Sequence, residues 1–313
     1  MSTIKKRIFV SALLVLFPLF AATQQLTESL GKMSDAEAQK LRQTLSQSID
    51  TSMSHDEKLK LLRARDQAAV LLNDIPAKES NLLEWVQIDP SGKWMLRAHY
   101  WYTGQLDKAI ELGRELVALP GNNPYLAVLS RTNLAKDYVD TNQLDKAKPL
   151  IEQAEEVIRY RMSSYQGVTG GYWRTSAELL LNRAKAAWLL SSGKWSEAER
   201  VGQISIDKAR EMNSQITSAI PDPTQQEPQK RMVIYAYADM VKLQSSIGHW
   251  ANAQWTLREA YELSRKAGYN ESHMYLVYVL TSKIKNGLGA FDEALVYASK
   301  AEALQLNIAN NKA

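Results

Sequence analysis

The sequence Tyr102-Thr-Gly-Gln-Leu-Asp-Lys-Ala109 returns four times in altered form, and this repetition indicates the fold. Its echoes are Thr141-Asn-Gln-Leu-Asp-Lys-Ala147, Ser192-Gly-Lys-Trp-Ser-Glu-Ala198, Ile247-Gly-His-Trp-Ala-Asn-Ala253 and Leu288-Gly-Ala-Phe-Asp-Glu-Ala294. After each alanine, ten or more residues carry apolar side chains at three-to-four spacing, which indicates an amphipathic helix. Each copy is therefore predicted to be the turn and second helix of a helix–turn–helix unit.

Every position of this repeat has a physical role in such a hairpin. Glycine ends a helix because it adopts the left-handed conformation without strain, and asparagine is the best substitute. This turn position is occupied by Gly104, Asn142, Gly193, Gly248 and Gly289. Small side chains in the second helix let two helices approach closely, and they are Ala109, Ala147, Ala198, Ala253 and Ala294. A second small position seven residues later holds Ala154, Ser205, Ala260 and Ala301, with Leu116 as the exception.

Large apolar residues stand two positions after the turn residue and are predicted to fill the gap between the two helices. They are Leu106, Leu144, Trp195, Trp250 and Phe291. With the turn and the two small positions, this pattern resembles the tetratricopeptide repeat over roughly residues 90–306. In the first helices, Ala135, Ala186, Tyr100 and Tyr138 fit the family pattern, whereas Arg97, Val241 and Ser282 depart from it. The resemblance implies an all-α fold, a right-handed solenoid of helical hairpins (an α-α superhelix).

The spacing of the repeats predicts how the chain is organised. The turn alanines are separated by 38, 51, 55 and 41 residues, whereas tetratricopeptide units repeat every 34 or so. The two long intervals indicate insertions at 162–172, rich in glycine, and at 213–229, where three prolines exclude a continuous helix, although longer helices would account for part of the excess. We expect an array of about five hairpins over 89–313, with Asp89 and Pro90 as cap and first position of its opening helix.

The segment before the array is predicted to be a helical cap region over 23–88. Ser34 to Ile49 and Asp56 to Asn73 read as charged amphipathic helices, with Ser34 and Ser54 as caps. The segment from Asp74 to Ile88 fits no single assignment from the sequence.

The first 22 residues resemble a secretory leader. Lys5-Lys6-Arg7 precedes an apolar run from Ile8 to Phe20 and the small residues Ala21 and Ala22, which is the order of a signal peptide. The run is shorter than the roughly twenty residues of a spanning helix. We therefore expect a periplasmic or secreted bacterial protein, with anchoring to the inner membrane by an uncleaved leader as the alternative. Only in that alternative would the membrane be a partner.

Charge and composition exclude several function classes. The formal net charge is +4, but without the leader 35 basic and 34 acidic side chains remain, so no excess is available to neutralise the phosphates of a nucleic acid. The chain has no cysteine, which excludes disulfides and thiolate sites. The histidines His55, His99, His249 and His273 are scattered without metal-ligand spacing, and we interpret them as surface or turn residues.

No sequence motif supports catalysis. Gly167-Val-Thr-Gly-Gly171 resembles a phosphate loop only superficially, because no strand precedes it and no Lys-Ser or Lys-Thr follows. We interpret this stretch as a flexible insertion. The expectation is a binding protein that is not an enzyme and that uses no cofactor and no metal.

The tetratricopeptide resemblance implies that the first helices line a concave groove for a peptide or an exposed helix. The positions that it selects are Trp94, Trp101, Tyr102, Thr132, Lys136, Arg183, Tyr235, Lys242 and Lys283. Lys136, Lys242 and Lys283 share one repeat position, which suits an acidic ligand or a free carboxylate. The alternative for these residues is an ordinary solvated lysine or a tryptophan packed between helices, and for Trp195 and Trp250 packing is favoured.

The function predicted from these features is an exported scaffold or adaptor that binds a protein or peptide partner, an acidic one if the lysine row is the site. Two alternatives remain open: an accessory or substrate-binding subunit of a cell-envelope enzyme complex, which would present a peptide or glycan, and a sensor module of a regulatory system. Self-association is also open, because Leu295, Leu304 and Leu306 at the end of an array need a cover.

Overall fold

A computed structural model describes residues 35–72, 74–119, 123–221, 223–266 and 271–310. Within those ranges the chain forms thirteen α-helices and no strand. The helices are α1 (Asp35–Leu45), α2 (His55–Leu71), α3 (Ile75–Ile88), α4 (Gly92–Tyr102), α5 (Leu106–Ala118), α6 (Pro124–Asp140), α7 (Leu144–Arg161), α8 (Gly167–Ser191), α9 (Trp195–Ala219), α10 (Pro223–Ser246), α11 (Trp250–Lys266), α12 (Glu271–Gly287) and α13 (Phe291–Asn310). The leader and the Ser34 cap lie outside the described residues.

The chain divides into two compact units, Met1–Leu112 with Ala301–Ala313, and Gly113–Lys300. In the described part of the first unit, α1 packs on α2, α2 on α3 and α3 on α4. Its core is an apolar cluster that includes Leu62, Leu82, Trp85, Leu96 and Tyr100. Burial of this cluster stabilises helices that are too short to persist alone in water.

In the second unit, the helices form two rows. Helices α6, α8, α10 and α12 pack against one another in order, and we call them the first-helix row. Helices α7, α9 and α11 each pack against the preceding and the following member of that row. One core cluster joins α8, α9 and α10 and includes the fully buried Tyr172, Leu179, Met212 and Tyr237. This arrangement is the helical-hairpin solenoid, of tetratricopeptide type, that the repeat predicts.

The turn and small positions of the repeat are confirmed. The backbone is left-handed at all five turn residues, with φ of 57° at Asn142 and 76° at Gly104. The alanine at the start of the second helix is 0% exposed in four copies and 6% exposed at Ala294. The residues at the second small position are also buried, including Leu116. Close helix approach at these two positions therefore sets the hairpin geometry.

The prediction for the large apolar residue after the turn is wrong in two copies. Trp195 is 60% and Phe291 63% exposed, whereas Leu106, Leu144 and Trp250, which also begin their helices, are half-buried. In the third hairpin, Trp188 of α8 packs against a core cluster. Its indole Nε1 donates a hydrogen bond to the Leu144 carbonyl oxygen at 3.2 Å.

The two long intervals mainly lengthen helices. Residues 167–172 form the start of α8, so Gly167–Gly171 is helical and not a flexible loop, and Tyr172 is fully buried. Helix α9 ends at Ala219 and α10 begins at Pro223, and α10 continues through the residues around Pro228. The interruption of the helix that the prolines predict is present, but it is short.

The N-terminal helices begin at recognisable caps. The Ser54 Oγ accepts from the Glu57 backbone N–H, and the Glu57 carboxylate accepts from the Ser54 N–H at 2.8 Å, which forms a capping box. The segment that the sequence left unassigned is α3, capped by Asp74. Helix α4 begins at Gly92, two residues later than predicted, because Asp89 Oδ1 accepts from the Ser91 N–H at 2.6 Å and holds Asp89–Ser91 in a turn.

The α3 cap gives a first test of the N-terminal unit. Asp74 Oδ1 accepts from the Ala77 N–H at 2.9 Å, and Asp74→Ala leaves that donor without its partner. We expect the free energy of unfolding to fall by about 1 kcal/mol. Urea denaturation of Asp74→Ala beside Asp74→Ser measures it. The serine variant retains a cap and should stay close to the unmodified protein, and an equal loss in both variants would contradict the capping role.

No helix among the described residues has both the length and the apolar character needed to cross a bilayer.

Candidate functional site

The basic positions predicted for the groove come together around one carboxylate in the first-helix row. Asp239 of α10 accepts from Lys136 of α6 at 3.1 Å and from the Arg183 Nε of α8 at 2.8 Å, in both cases through Oδ2. These side chains are 13–30% exposed. Asp239 therefore joins three successive first helices through a partly buried ion-pair network.

Lys242 and Lys283 extend the same cluster without such a partner. Lys242 lies one turn after Asp239 on α10, and Lys283 lies on α12; both are half-buried. Within the described residues, neither ammonium makes an ion pair or a hydrogen bond. We call Lys136, Arg183, Lys242 and Lys283 the basic cluster. The four cations outnumber the two carboxylates that act on Lys242, Asp239 and Asp140, so the cluster has an excess of positive charge.

The pKa values of the cluster reflect this excess of positive charge. Burial lowers the pKa of the Lys242 ammonium, the charges of Lys136 and Arg183 lower it further, and the attraction of Asp239 and Asp140 only partly offsets these effects. The pKa of Lys283 is also lowered, by burial and then by the charge of Lys242. Burial raises the pKa of the Asp239 carboxyl, but Arg183 and Lys136 outweigh it and hold that pKa well below its usual range. The cluster therefore carries cations that an additional anion would stabilise.

Tyr235 and Thr132, the other two predicted site residues of the first-helix row, lie outside the basic cluster. Tyr235 lies one turn before Asp239 on α10, and the Arg183 guanidinium carbon is 6.0 Å from the centre of its ring, at the limit of a cation–π contact. Thr132 is 1% exposed and its hydroxyl donates to the Val128 carbonyl oxygen at 2.9 Å. Thr132 is therefore a core residue whose side chain cannot reach a ligand, contrary to the groove assignment.

The three aromatic candidates lie on α4, in the first unit. Trp101 packs against the core cluster of that unit and makes an edge-to-face contact with Tyr102, with ring centres 5.2 Å apart. Trp94 and Tyr102 are half-buried. For Trp101 the packing alternative therefore describes the contacts better, and these three residues form a group separate from the basic cluster along the chain.

Sequence reasoning missed Asp239, the residue that organises the cluster. A signal was available, because Tyr235, Asp239 and Lys242 are spaced four and three residues apart and so share one face of a helix. The comparison of equivalent repeat positions selected Tyr235 and Lys242 but passed over the acidic residue between them.

The histidines do not form a site in the described part of the chain. No group of three or more histidine or carboxylate side chains there could hold a metal ion. His55 lies 3.4 Å from Asp89, and His249 lies 3.1 Å from Glu199. The surface interpretation is wrong for His99, which is 2% exposed. Burial, followed by the charge of Lys78, lowers the pKa of His99 and favours the neutral ring.

Comparison with known proteins adds little beyond the fold. No family model and no curated protein matches the sequence. Among solved structures, the chain is similar to a crystal structure from Podosopora anserina of a protein assigned as a kinesin light chain with nearly identical TPR-like repeats. The match has 17% sequence identity and a TM-score of 0.44, and it covers 70% of this chain and 96% of that one. The tetratricopeptide-like fold is established by the chain's own left-handed turns, buried small positions and paired helices.

Proposed function

We propose that this chain is an exported, tetratricopeptide-like scaffold that binds an acidic segment of a protein or peptide partner at the basic cluster. The observation that carries the proposal is the position of Lys242 and Lys283, half-buried in the first-helix row, where burial lowers the pKa of both ammonium groups and the attraction of Asp239 and Asp140 does not restore that of Lys242. A binding role, as opposed to catalysis, agrees with the tetratricopeptide-like fold.

The electrostatics favour an anionic group as the ligand. Half-buried ammonium groups lose hydration, and like charges nearby add repulsion. A carboxylate placed between Lys242 and Lys283 would relieve both costs, because charge-assisted hydrogen bonds are about twice as strong as neutral ones. Asp239 already neutralises part of the charge of Lys136 and Arg183. We therefore expect Lys242 and Lys283 to contact the ligand most directly.

The ligand is proposed to be a peptide because the cluster crosses several repeats. Lys136, Arg183, Lys242 and Lys283 come from four successive first helices, so a ligand that contacts them all must be extended. An acidic peptide or an exposed acidic helix has that length, and it carries several carboxylates in a row.

The binding test uses a fluorescent glutamate-rich peptide with a free carboxyl terminus. We expect the double variant Lys242→Gln/Lys283→Gln to bind at least about tenfold more weakly than the unmodified protein, as for the loss of two charge-assisted contacts. Lys148→Gln is the matched control, because Lys148 is 57% exposed and only pairs with Glu152 on its own helix. Fluorescence anisotropy at low and high salt measures the affinity, and binding should weaken as salt rises.

The pH dependence has a defined sign. A lysine with a lowered pKa loses its charge at a lower pH than the ordinary value of 10.5. Affinity for the acidic peptide should therefore decline before pH reaches 10.5 as the solution is made alkaline. Equal affinity in the double variant and the control, or binding that is insensitive to salt, would contradict the basic cluster as the site.

Export is a separate part of the proposal and rests on the leader sequence. Expression of the full chain with periplasmic fractionation and intact mass measurement tests it. A mass lower by the first 22 residues or so supports cleavage, a full-length membrane-associated chain supports the anchor, and a full-length cytoplasmic chain would contradict export.

A further inference from the structure

A second surface of the Gly113–Lys300 unit differs in its chemistry from the basic cluster. A groove of about 590 Å³ lies between α9 and α11, with α10 as its floor. Ser196 and Gln203 line it from α9, Asn252 and Trp255 from α11, and Met240 and Gln244 from α10. This volume lies within the range of about 300–1,000 Å³ that is typical of sites for small ligands.

The groove is bounded by specific contacts. Beyond it along α9 and α11, Arg210 and Glu259 form a two-pronged ion pair at 2.6 and 2.7 Å. Because the Glu259 carboxylate accepts these hydrogen bonds, the pKa of Arg210 is raised and the pair stays charged. At Gly202, an added Cβ would lie 2.7 Å from the Met240 sulfur, so α9 sits directly on α10 there. The walls are therefore fixed by packing and by the ion pair.

Gln244 lies at the floor of the groove. The residue is 5% exposed, and its side-chain oxygen accepts from the Thr256 hydroxyl at 2.9 Å. This hydrogen bond fixes the amide plane, and Gln244 lines the groove. The amide nitrogen can therefore donate to a ligand that brings a hydrogen-bond acceptor.

Trp255 provides a flat apolar surface at the same groove. It is 69% exposed, which is unusual for the largest apolar side chain. The other side chains named above are mostly neutral groups that donate and accept hydrogen bonds, namely Ser196, Gln203, Gln244 and Asn252. Glu199 and Arg200, which also line the groove, carry opposite charges, so the site has no net charge.

We infer that this groove binds a neutral saccharide. A pyranose ring has an apolar C–H face that stacks on an indole and a rim of hydroxyl groups that both donate and accept. Trp255 matches the face, and the amides of Gln203, Gln244 and Asn252 match the rim. The absence of net charge distinguishes this groove from the basic cluster, which suits an acidic ligand. The inference is independent of the proposed function, because no residue belongs to both sites.

The test is ligand-observed saturation-transfer NMR with the full chain and three neutral probes: maltotriose, cellotriose and tri-N-acetylchitotriose. A capped hexapeptide of serine, asparagine and glycine is the fourth probe. We expect at least one saccharide to bind and Trp255→Ala to weaken it by at least about tenfold. Gln244→Met preserves the packing and removes the amide, and it should weaken binding about three- to tenfold.

Trp195→Ala is the matched control, because Trp195 is also exposed but does not line the groove. Its saccharide affinity should equal that of the unmodified protein. Three results would overturn the inference: no saccharide binds, saccharide binding is the same in Trp255→Ala, or the capped peptide alone binds in a manner that depends on Trp255. Circular dichroism of each variant separates loss of the site from loss of the fold.

Discussion

Asp239→Asn is expected to destabilise the protein by about 2–3 kcal/mol while strengthening its binding of an acidic peptide. The estimate lies between the median for exposed ion pairs, about 0–1 kcal/mol, and the loss on breaking a fully buried one, about 3–5 kcal/mol. Asp239 is 30% exposed, and its partners Lys136 and Arg183 are 23% and 13% exposed. Asparagine has nearly the same shape, so the change mainly removes the charge.

The two effects have one physical cause. Without the Asp239 carboxylate, Lys136, Arg183 and Lys242 repel one another in a partly dehydrated setting, and folding becomes less favourable. The same uncompensated charge attracts a carboxylate from outside, so the glutamate-rich peptide should bind more tightly. Stability and affinity are therefore expected to change in opposite directions at this residue.

Thermal unfolding and peptide titration at neutral pH measure both effects. A loss of about 2–3 kcal/mol corresponds to a melting temperature lower by about 5–10 °C in a unit of this size. The control is Asp292→Asn on α13, an exposed residue in the first turn of its helix, where the loss should stay below about 1 kcal/mol. Weaker peptide binding by Asp239→Asn would contradict the prediction that its charge competes with the ligand for the basic cluster.

The second large effect is expected for Ala253→Leu, at the turn alanine of α11. Ala253 is 0% exposed and belongs to a core cluster with Val241, Leu257 and Leu280. Leucine adds three carbon atoms where α10 and α11 approach most closely, so the helices must move apart. We expect a loss of about 3 kcal/mol in the free energy of unfolding, at the upper end for overpacked cores.

Ala251→Leu tests whether this effect is due to packing. Ala251 lies two residues earlier on the same helix and is exposed, so the same substitution should change stability by less than about 0.5 kcal/mol. Guanidinium denaturation of the two variants gives the comparison. If Ala253→Leu is as stable as Ala251→Leu, the small positions do not set the helix approach, and the explanation of the repeat fails.

The sequence predicts the hairpins well because their turns depend on rules of the backbone itself. A left-handed residue at the end of a helix requires glycine or asparagine, and a close helix contact requires a small side chain. Both requirements therefore select the same residue types in every copy, at Gly104 and Ala109 and at the equivalent positions. The array can therefore be found although the intervals between copies vary.

The site is less predictable because its contacts join distant residues. Lys136 and Asp239 are separated by 103 residues, and no local sequence pattern predicts the ion pair between them. The comparison of repeat positions found the basic side chains but not the carboxylate that arranges them. It also selected Thr132, because a helical position gives the direction of a side chain only approximately and a neighbouring helix decides its burial.

Trp195 and the glycine-rich stretch from Gly167 illustrate how context overrides composition. A large aromatic residue usually indicates burial, yet Trp195 at the start of its helix is 60% exposed. Glycine usually indicates a loop, yet this stretch is helical because the following residues, including Tyr172 and Leu179, pack into the core cluster that joins α8, α9 and α10.

The most direct test of the basic cluster is an NMR titration of the lysine ammonium groups, with and without a saturating amount of the glutamate-rich peptide. In the free protein, the pKa values of Lys242 and Lys283 should lie below the ordinary lysine value of 10.5. Peptide binding should raise both pKa values, because the bound carboxylates stabilise the two charged ammonium groups. Peptide binding that leaves the pKa values of Lys242 and Lys283 unchanged would contradict the assignment of the basic cluster as the binding site.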